Sequence, residues 1–363
     1  MAELAFLRSA LAGPTLLEAA AMTAVFLLLL FGGSMVLPGR TGSGSVADGT
    51  ERVYKLNGFS LFVAVVMLAL AAEVAGLFSL AALHERFAAL LVVANVFAMA
   101  LSTFLFVTAK RRQGTAQAGG GFIMGVDSSP SWLGVDLKLF SYRPSLIGLA
   151  LLNASFAVVQ YETQGRLTLA MMVYQAVTFL YILNYFQFEY GMTRTWDMTS
   201  ERFGWLLIWG DYVVVPFFYC LPGWWLVDAP DVLSPAGAAA IVLLFLFGAW
   251  IFRGANQQKH RFKTDSKTTI WGKPAETLDG RLLVSGFWGI GRHLNYTGEI
   301  LIYLSFSLTA GFESWVPYLV PVWLASLLWH RSKRDDRRCR AKYGALWERY
   351  TQRVRYAMLP FVY

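Results

Sequence analysis

The sequence predicts an all-α, polytopic membrane protein with nine to ten transmembrane helices. Three observations predict it. Of the 363 residues, 56% are hydrophobic and 15% charged, with a mean hydropathy of +0.48, more apolar surface than a soluble domain can bury. The apolar residues gather into runs long enough to cross about 30 Å of hydrocarbon as helix. The formal net charge of +8 is confined to segments between alternate runs and to the C-terminus, the pattern of the positive-inside rule.

The runs lie at 18–37, 58–82, 87–108, 145–160, 167–187, 203–227, 235–252, 300–313 and 315–329. The first follows a weakly basic N-terminus and is too long for a cleaved signal, so 19–36 reads as a retained helix. Arg40, Arg52 and Lys55 precede the second run, and Lys110, Arg111, Arg112, Lys138 and Arg143 lie between the third and fourth. Arg194 and Arg202 follow the fifth, Arg253 to Lys273 the seventh, and ten Lys or Arg lie between Arg331 and Arg355. With nine spans all of these fall on the cytoplasmic side, together with the C-terminus. The low-complexity pieces 40–49 (RTGSGSVADG) and 114–121 (GTAQAGGG) read as flexible connectors, because Gly and Ser oppose a fixed backbone. The chain reads as one domain, 1–363, with membrane helices in 1–252 and a polar C-terminal part in 253–363.

Several chemistries have no support. Cys220 lies in an apolar run and Cys339 in the basic tail, so the pair does not bridge, and no CxxC or HExxH spacing suggests a metal. No Walker sequence or strand-linked GxGxxG points to a soluble dinucleotide fold. The scattered surplus charge does not form a folded basic face, so nucleic acid is not an expected partner.

The polar segments 282–296 (LLVSGFWGIGRHLNY) and 329–350 (WHRSKRDDRRCRAKYGALWERY) bracket one apolar double pass, so both return to the same membrane face and can build one site there. Arg331, Arg334, Asp335, Arg338 and Cys339 recur at three and four residues, one stripe on a helix continuing from the last run. Such a stripe serves phosphates and a ribose hydroxyl, and equally anionic lipid headgroups. Tyr343, Trp347 and Tyr350 continue the spacing as an aromatic face. His293, with Arg292 and Asn295, follows Gly286, Gly289 and Gly291, where the missing Cβ allows close backbone approach. In the loop 253–263, Lys259 and Lys263 share a face if helical. Polar groups within spans are costly, which marks Tyr181, Asn184 and Asp211, and more weakly Glu73 and Gln160. Singly, Tyr181 also suits an aromatic belt and Asp211 a helix–helix hydrogen bond.

Together with GVDLKLFSYRPSL, LYILNYFQFE, TWDMTSERFGWLLIWGD, VPFFY and the terminal PFVY, these segments resemble the sterol reductase family, which includes the sterol C14 reductases, the 7-dehydrocholesterol reductases and the lamin B receptor membrane domain. The C-terminal half more distantly resembles isoprenylcysteine carboxyl methyltransferases. The resemblance implies an enzyme with a cytoplasm-facing cofactor pocket in its C-terminal part, holding NADPH, and with one span fewer than the family's ten. It assigns cofactor binding to Lys259, Lys263, Leu283, Trp288, His293, Asn295, Arg331, Asp335, Cys339, Arg340, Tyr343 and Tyr350. Tyr181 matches the tyrosine proposed to protonate the substrate; with an ordinary pKa of about 10 it is a weak acid for an alkene and would need polar neighbours such as Glu189 or Asp211, or a water relay, to assist it. Lys263 departs from the family's Arg, Asn184 from its Asp and Phe287 from its Trp.

The expected reaction is reduction of a sterol C14=C15 double bond in sterol biosynthesis. The 7 and 24 double bonds, or S-adenosylmethionine-dependent methyl transfer, are the alternatives. The expected partners are the sterol and membrane lipids, with no nucleic acid and no obligatory protein partner. The short chain favours a bacterial inner membrane over endoplasmic reticulum.

Overall fold

The computed structural model describes residues 12–113, 121–265, 267–360 and 362. Each of the nine apolar runs is helical: α1 Gly13–Val36, α2 Gly58–Val74, α3 Phe87–Gln113, α4 Leu137–Gln164, α5 Leu169–Gln187, α6 Trp205–Leu226, α7 Pro235–Thr264, α8 Leu294–Leu308 and α9 Leu319–Tyr343. A further helix, α10 Ala345–Arg353, follows them. Among the described residues, six helices (α1 and α3 to α7) are long and apolar enough to cross a membrane. By contrast α2 has 17 residues, α8 has 15, and the 25 residues of α9 become charged in its second half. The molecule is an integral, mainly helical membrane protein.

Three expectations at the helix ends are corrected. α4 begins at Leu137 rather than 145, because the Asp136 carboxylate caps it, accepting from the Leu139 N–H at 2.7 Å. Lys138 and Arg143, read as loop charges, therefore lie inside α4, and both are buried. The Lys138 ammonium donates to the carbonyls of Ser128, Met198 and Glu201. The loop read at 253–263 is the last turns of α7, whose terminal Arg261 and Lys263 complement the helix dipole.

The connector read at 40–49 is also corrected. β1 (Arg40–Ser45) pairs antiparallel with β2 (Glu51–Leu56), Arg40 opposite Leu56 and Ser45 opposite Glu51. Its glycines serve close packing rather than freedom. A Cβ on Gly44 would lie 2.6 Å from the Thr193 carbonyl oxygen. The second connector, 114–121, lies outside the described residues except for Gly121.

The chain divides into two compact units. The first comprises the described residues up to Leu167 together with Thr178–Asp228. Its loops are knit by backbone bonds, Phe203 N–H to Asp127 O at 2.9 Å and Trp205 N–H to Phe122 O at 3.1 Å, and α6 meets α3 through Tyr212 and Phe97. The second comprises Thr168–Val177 and the described residues from Ala229 on. There α7 and α8 cross at two glycines: a Cβ on Gly248 would lie 2.9 Å from the Gly298 carbonyl oxygen. Val284, Trp347, Tyr350 and Val354 bury together where α10 folds back on the 282–284 segment.

Candidate functional site

In the second unit the site grows from the end of α7. Gly286, at φ +62°, turns the chain so that Phe287 N–H donates to the Gln258 side chain at 2.9 Å. The turn lays Trp288 against α7, where its indole N–H donates to Ala255 O at 2.8 Å and Lys259 Nζ sits 4.3 Å above its ring. Leu283 packs on the same indole, and the Tyr350 hydroxyl donates to Trp288 O at 3.3 Å. Lys259, Leu283, Trp288 and Tyr350 thus form one contact group.

The stretch after Gly291 anchors the returning C-terminal segment. Arg292 and His293 donate their backbone N–H groups to Tyr356 O and Ala357 O at 3.0 and 2.7 Å. The Arg292 guanidinium donates to Val354 O and Arg355 O, and the Thr297 hydroxyl to Met358 O. His293 is buried, with its ring stacked on Tyr296 at 5.1 Å. Burial, helped by Lys259 and Arg292, lowers its pKa to about 3, so the imidazole is neutral. The Asn295 amide donates to Asn256 Oδ1 at 3.2 Å, while its own Oδ1 is buried without a hydrogen-bond partner among the described residues. Arg292 Nε is also buried without a hydrogen bond, but it lies 3.9 Å from Asp336 Oδ1 in an ion pair. An unpartnered buried oxygen such as Asn295 Oδ1 fits a site made for a polar ligand.

α9 and α10 complete it. Burial, then Asp335, push the Cys339 thiol up to about 11, while Lys259 and Arg338 act against that rise. Burial raises the Tyr350 phenol, and Arg292, Cys339 and Asp335 all lie within electrostatic range of it. The Arg281 guanidinium lies 5.2 Å over the Tyr343 ring, which stacks on Trp347. The structure therefore brings Lys259, Leu283, Trp288, His293, Asp335, Cys339, Tyr343 and Tyr350 together. Lys263 and Arg340 are exposed and Arg331 half-buried, with Arg340 3.9 Å from Asp336. Beside the expected stripe, a cavity of about 280 Å³ is lined by Arg292, His293, Ser332, Lys333, Asp336 and Arg337. The last four escaped the sequence reading although 332/336 and 333/337 have the same i, i+4 spacing, because two adjacent faces of one charged helix look alike without a neighbour to choose between them.

In the first unit, Tyr181 is buried, its ring edge-on to Tyr185 at 4.9 Å. Glu189 is held from three sides: Arg143 Nη2 and the Tyr142 hydroxyl donate to Oε1, at 2.9 Å for the arginine, and Gly58 N–H donates to Oε2 at 2.8 Å. Arg143 also donates to Ser34 Oγ and Lys55 O. Arg143 and Tyr142 are thus central residues that the sequence reading placed in a loop or passed over. Asp211 lies where α6 widens into a π-helical stretch, Gly210–Phe218, and accepts from Ser141 Oγ of α4. Glu73 accepts from Leu80 N–H in the turn after α2, and Gln160, buried in α4, donates to Leu226 O at the end of α6. Among the described residues no three side chains form a metal-binding group.

Fold and site together define the class, an integral membrane protein of long apolar helices whose C-terminal part gathers cations and aromatic rings around Trp288, Tyr343 and Tyr350. The model of the ergosterol biosynthesis ERG4/ERG24 family matches residues 14–363, and the chain belongs to that family of sterol reductases. It is similar to the Delta(14)-sterol reductase of Arabidopsis thaliana, 37% identical over 361 residues that cover 96% of this chain and 97% of that protein. The Delta(14)-sterol reductase of Methylotuvimicrobium alcaliphilum is 38% identical over 336 residues, 90% of this chain and 79% of its own. The 7-dehydrocholesterol reductase of Danio rerio is 34% identical over 359 residues, 90% and 74% of the two chains. The chain is accordingly an oxidoreductase, and the methyltransferase alternative falls away.

Proposed function

We propose that this protein reduces the C14=C15 double bond of a sterol, using NADPH. The observation that carries the reading is the near full-length similarity to proteins named Delta(14)-sterol reductase, from a plant and a bacterium. Lys259, Lys263, Leu283, Trp288, His293, Asn295, Arg331, Asp335, Cys339, Arg340, Tyr343 and Tyr350 would hold the cofactor. Its fit is supported by the cations and aromatic rings gathered around Trp288 and by the unpaired Asn295 Oδ1. NADPH bound there supplies a hydride.

An isolated carbon–carbon double bond is not polarised, so it must be protonated before a hydride can add. Tyr181 is the proposed donor, with its hydroxyl proton passing to the alkene. With an ordinary pKa of about 10 a tyrosine is a weak acid for this task, so Asp211 and Glu189 are proposed to assist it. The surrounding aromatic rings would face the cation that forms, and the apolar helices would keep water from it. The basic segments and the C-terminus would face the cytoplasm, with nine helices crossing a bacterial inner membrane.

The test is anaerobic incubation of detergent-solubilised protein with NADPH and sterols unsaturated at positions 14, 7 and 24, followed by mass-resolved products. Loss of the 14 double bond alone, dependent on NADPH, is the expected result. Reduction only at position 7 would move the protein beside its 7-dehydrocholesterol reductase relatives, and NADPH binding with no sterol reduced would overturn the substrate assignment.

A further inference from the structure

A second cavity, of about 370 Å³, lies in the first unit and is bordered by Arg143, the ion-pair partner of Glu189. Arg52, Tyr54, Lys55, Asp136 and Arg143 line it. Two of these present buried polar atoms with no hydrogen-bond partner among the described residues: the Tyr54 hydroxyl and Arg143 Nε, in side chains 3% and 2% exposed. Such atoms are costly unless something satisfies them. Burial and the Asp136 carboxylate raise the Tyr54 phenol to about 12, against a smaller lowering by the nearby Ser129 hydroxyl, so it stays protonated and remains a donor. Asp136 is already engaged, accepting from Ser129 Oγ and Leu139 N–H, and Arg143 is paired with Glu189. Arg52 and Lys55 place two exposed cations at the mouth, although Lys55 Nζ gives one bond to Met35 O at 2.7 Å and the Asp48 carboxylate lies within electrostatic range of Arg52.

The rim is apolar and outward-facing. Leu133 is 63% exposed and Val53 77%, and Met35 joins them at the end of α1. Leu133 is held at φ +49°, a left-handed conformation a leucine takes only when the surrounding turn imposes it. The neighbouring Trp132 ring lies 5.2 Å from Phe31, on the last turns of the membrane-spanning α1. The tip of this turn therefore sits at the depth where a bilayer gives way to its headgroups.

We propose that this cavity binds the phosphate ester of an anionic glycerophospholipid, its headgroup among Tyr54, Arg143, Arg52 and Lys55 and its acyl chains along Met35, Val53 and Leu133. The same donors would accept a soluble phosphate, and the apolar rim is what selects the lipid.

Native mass spectrometry of the whole chain, released from nanodiscs of phosphatidylglycerol or phosphatidylcholine, tests this. The expected result is one retained phosphatidylglycerol, favoured about tenfold over phosphatidylcholine. The Arg52→Ala/Lys55→Ala double variant, altered only at exposed positions, abolishes the preference, and Tyr54→Phe weakens retention several-fold, with both keeping the wild-type elution profile. No retained lipid, or equal retention by wild type and both variants, overturns the proposal. Thermal stabilisation by inorganic phosphate equal to that by the lipid overturns the lipid assignment. None of these readouts depends on sterol turnover, so the outcome is separate from that of the reductase reading.

Discussion

Lys259 illustrates how much one side chain owes to its surroundings. Its ammonium is placed over the Trp288 ring by a helix that does not stop where the hydrophobic run stops. Lys259→Ala is expected to raise the KM for NADPH about five- to tenfold with a smaller change in kcat, read from initial rates. Lys263, where the family resemblance implies an arginine, offers the converse: Lys263→Arg supplies a bidentate fork and should lower that KM. Tyr181→Phe should cut sterol turnover by about two orders of magnitude while NADPH binding persists; unchanged turnover would place the acid elsewhere. His293 gives a pH signature. Its folded pKa of about 3 lies below the unfolded value near 6.5, so below pH 6.5 the unfolded chain takes a proton that the native one refuses. Stability is therefore lost as pH falls from about 6.5 towards 3, by up to about 1.4 kcal/mol per pH unit. A His293→Gln variant should show a flatter melting temperature between pH 7 and pH 5.

At the scale of elements, the helices were legible and their ends were not. Hydrophobicity marks where lipid begins and says nothing of where hydrogen bonding along the helix ceases. α4 therefore starts eight residues before its apolar run, at a carboxylate cap, and α7 continues to Thr264 on charged residues. The hairpin over 40–56 was missed for a related reason: RTGSGS has weak strand propensity, and its pairing depends on β2 and on Thr193, remote in sequence. Two substitutions weigh these contacts. Glu189→Ala leaves Arg143 charged and buried, side chains otherwise 3% and 6% exposed, and should cost about 3–5 kcal/mol in detergent melts. Gly298→Val places a side chain 2.5 Å from Phe252 N at the α7–α8 crossing; a loss of about 1–3 kcal/mol is expected, or failure to fold.

For the whole molecule, topology is the property most directly tested. A fluorescent fusion after Tyr363 should fold and glow in the cytoplasm, while alkaline phosphatase inserted at Gly76 or at Pro230 should be active on the far side; the reverse pattern would remove the nine-span assignment. The sequence by itself determined the membrane class, because apolar composition and run length are read against a solvent of fixed thickness. It also determined the family, because motifs spread along the chain retain their order. It further singled out Lys259, Trp288 and Tyr350, which make contact with one another in the structure, whereas of the side chains lining the cavity of about 280 Å³ it singled out only Arg292 and His293. Only the tertiary structure decided which face of α9 opens on a cavity, that Arg143 and Lys138 are buried anchors rather than loop charges, and that the glycines of 40–45 form a strand. Each of these depends on a partner distant in the chain, and a charge or a glycine takes its meaning from what it is packed against.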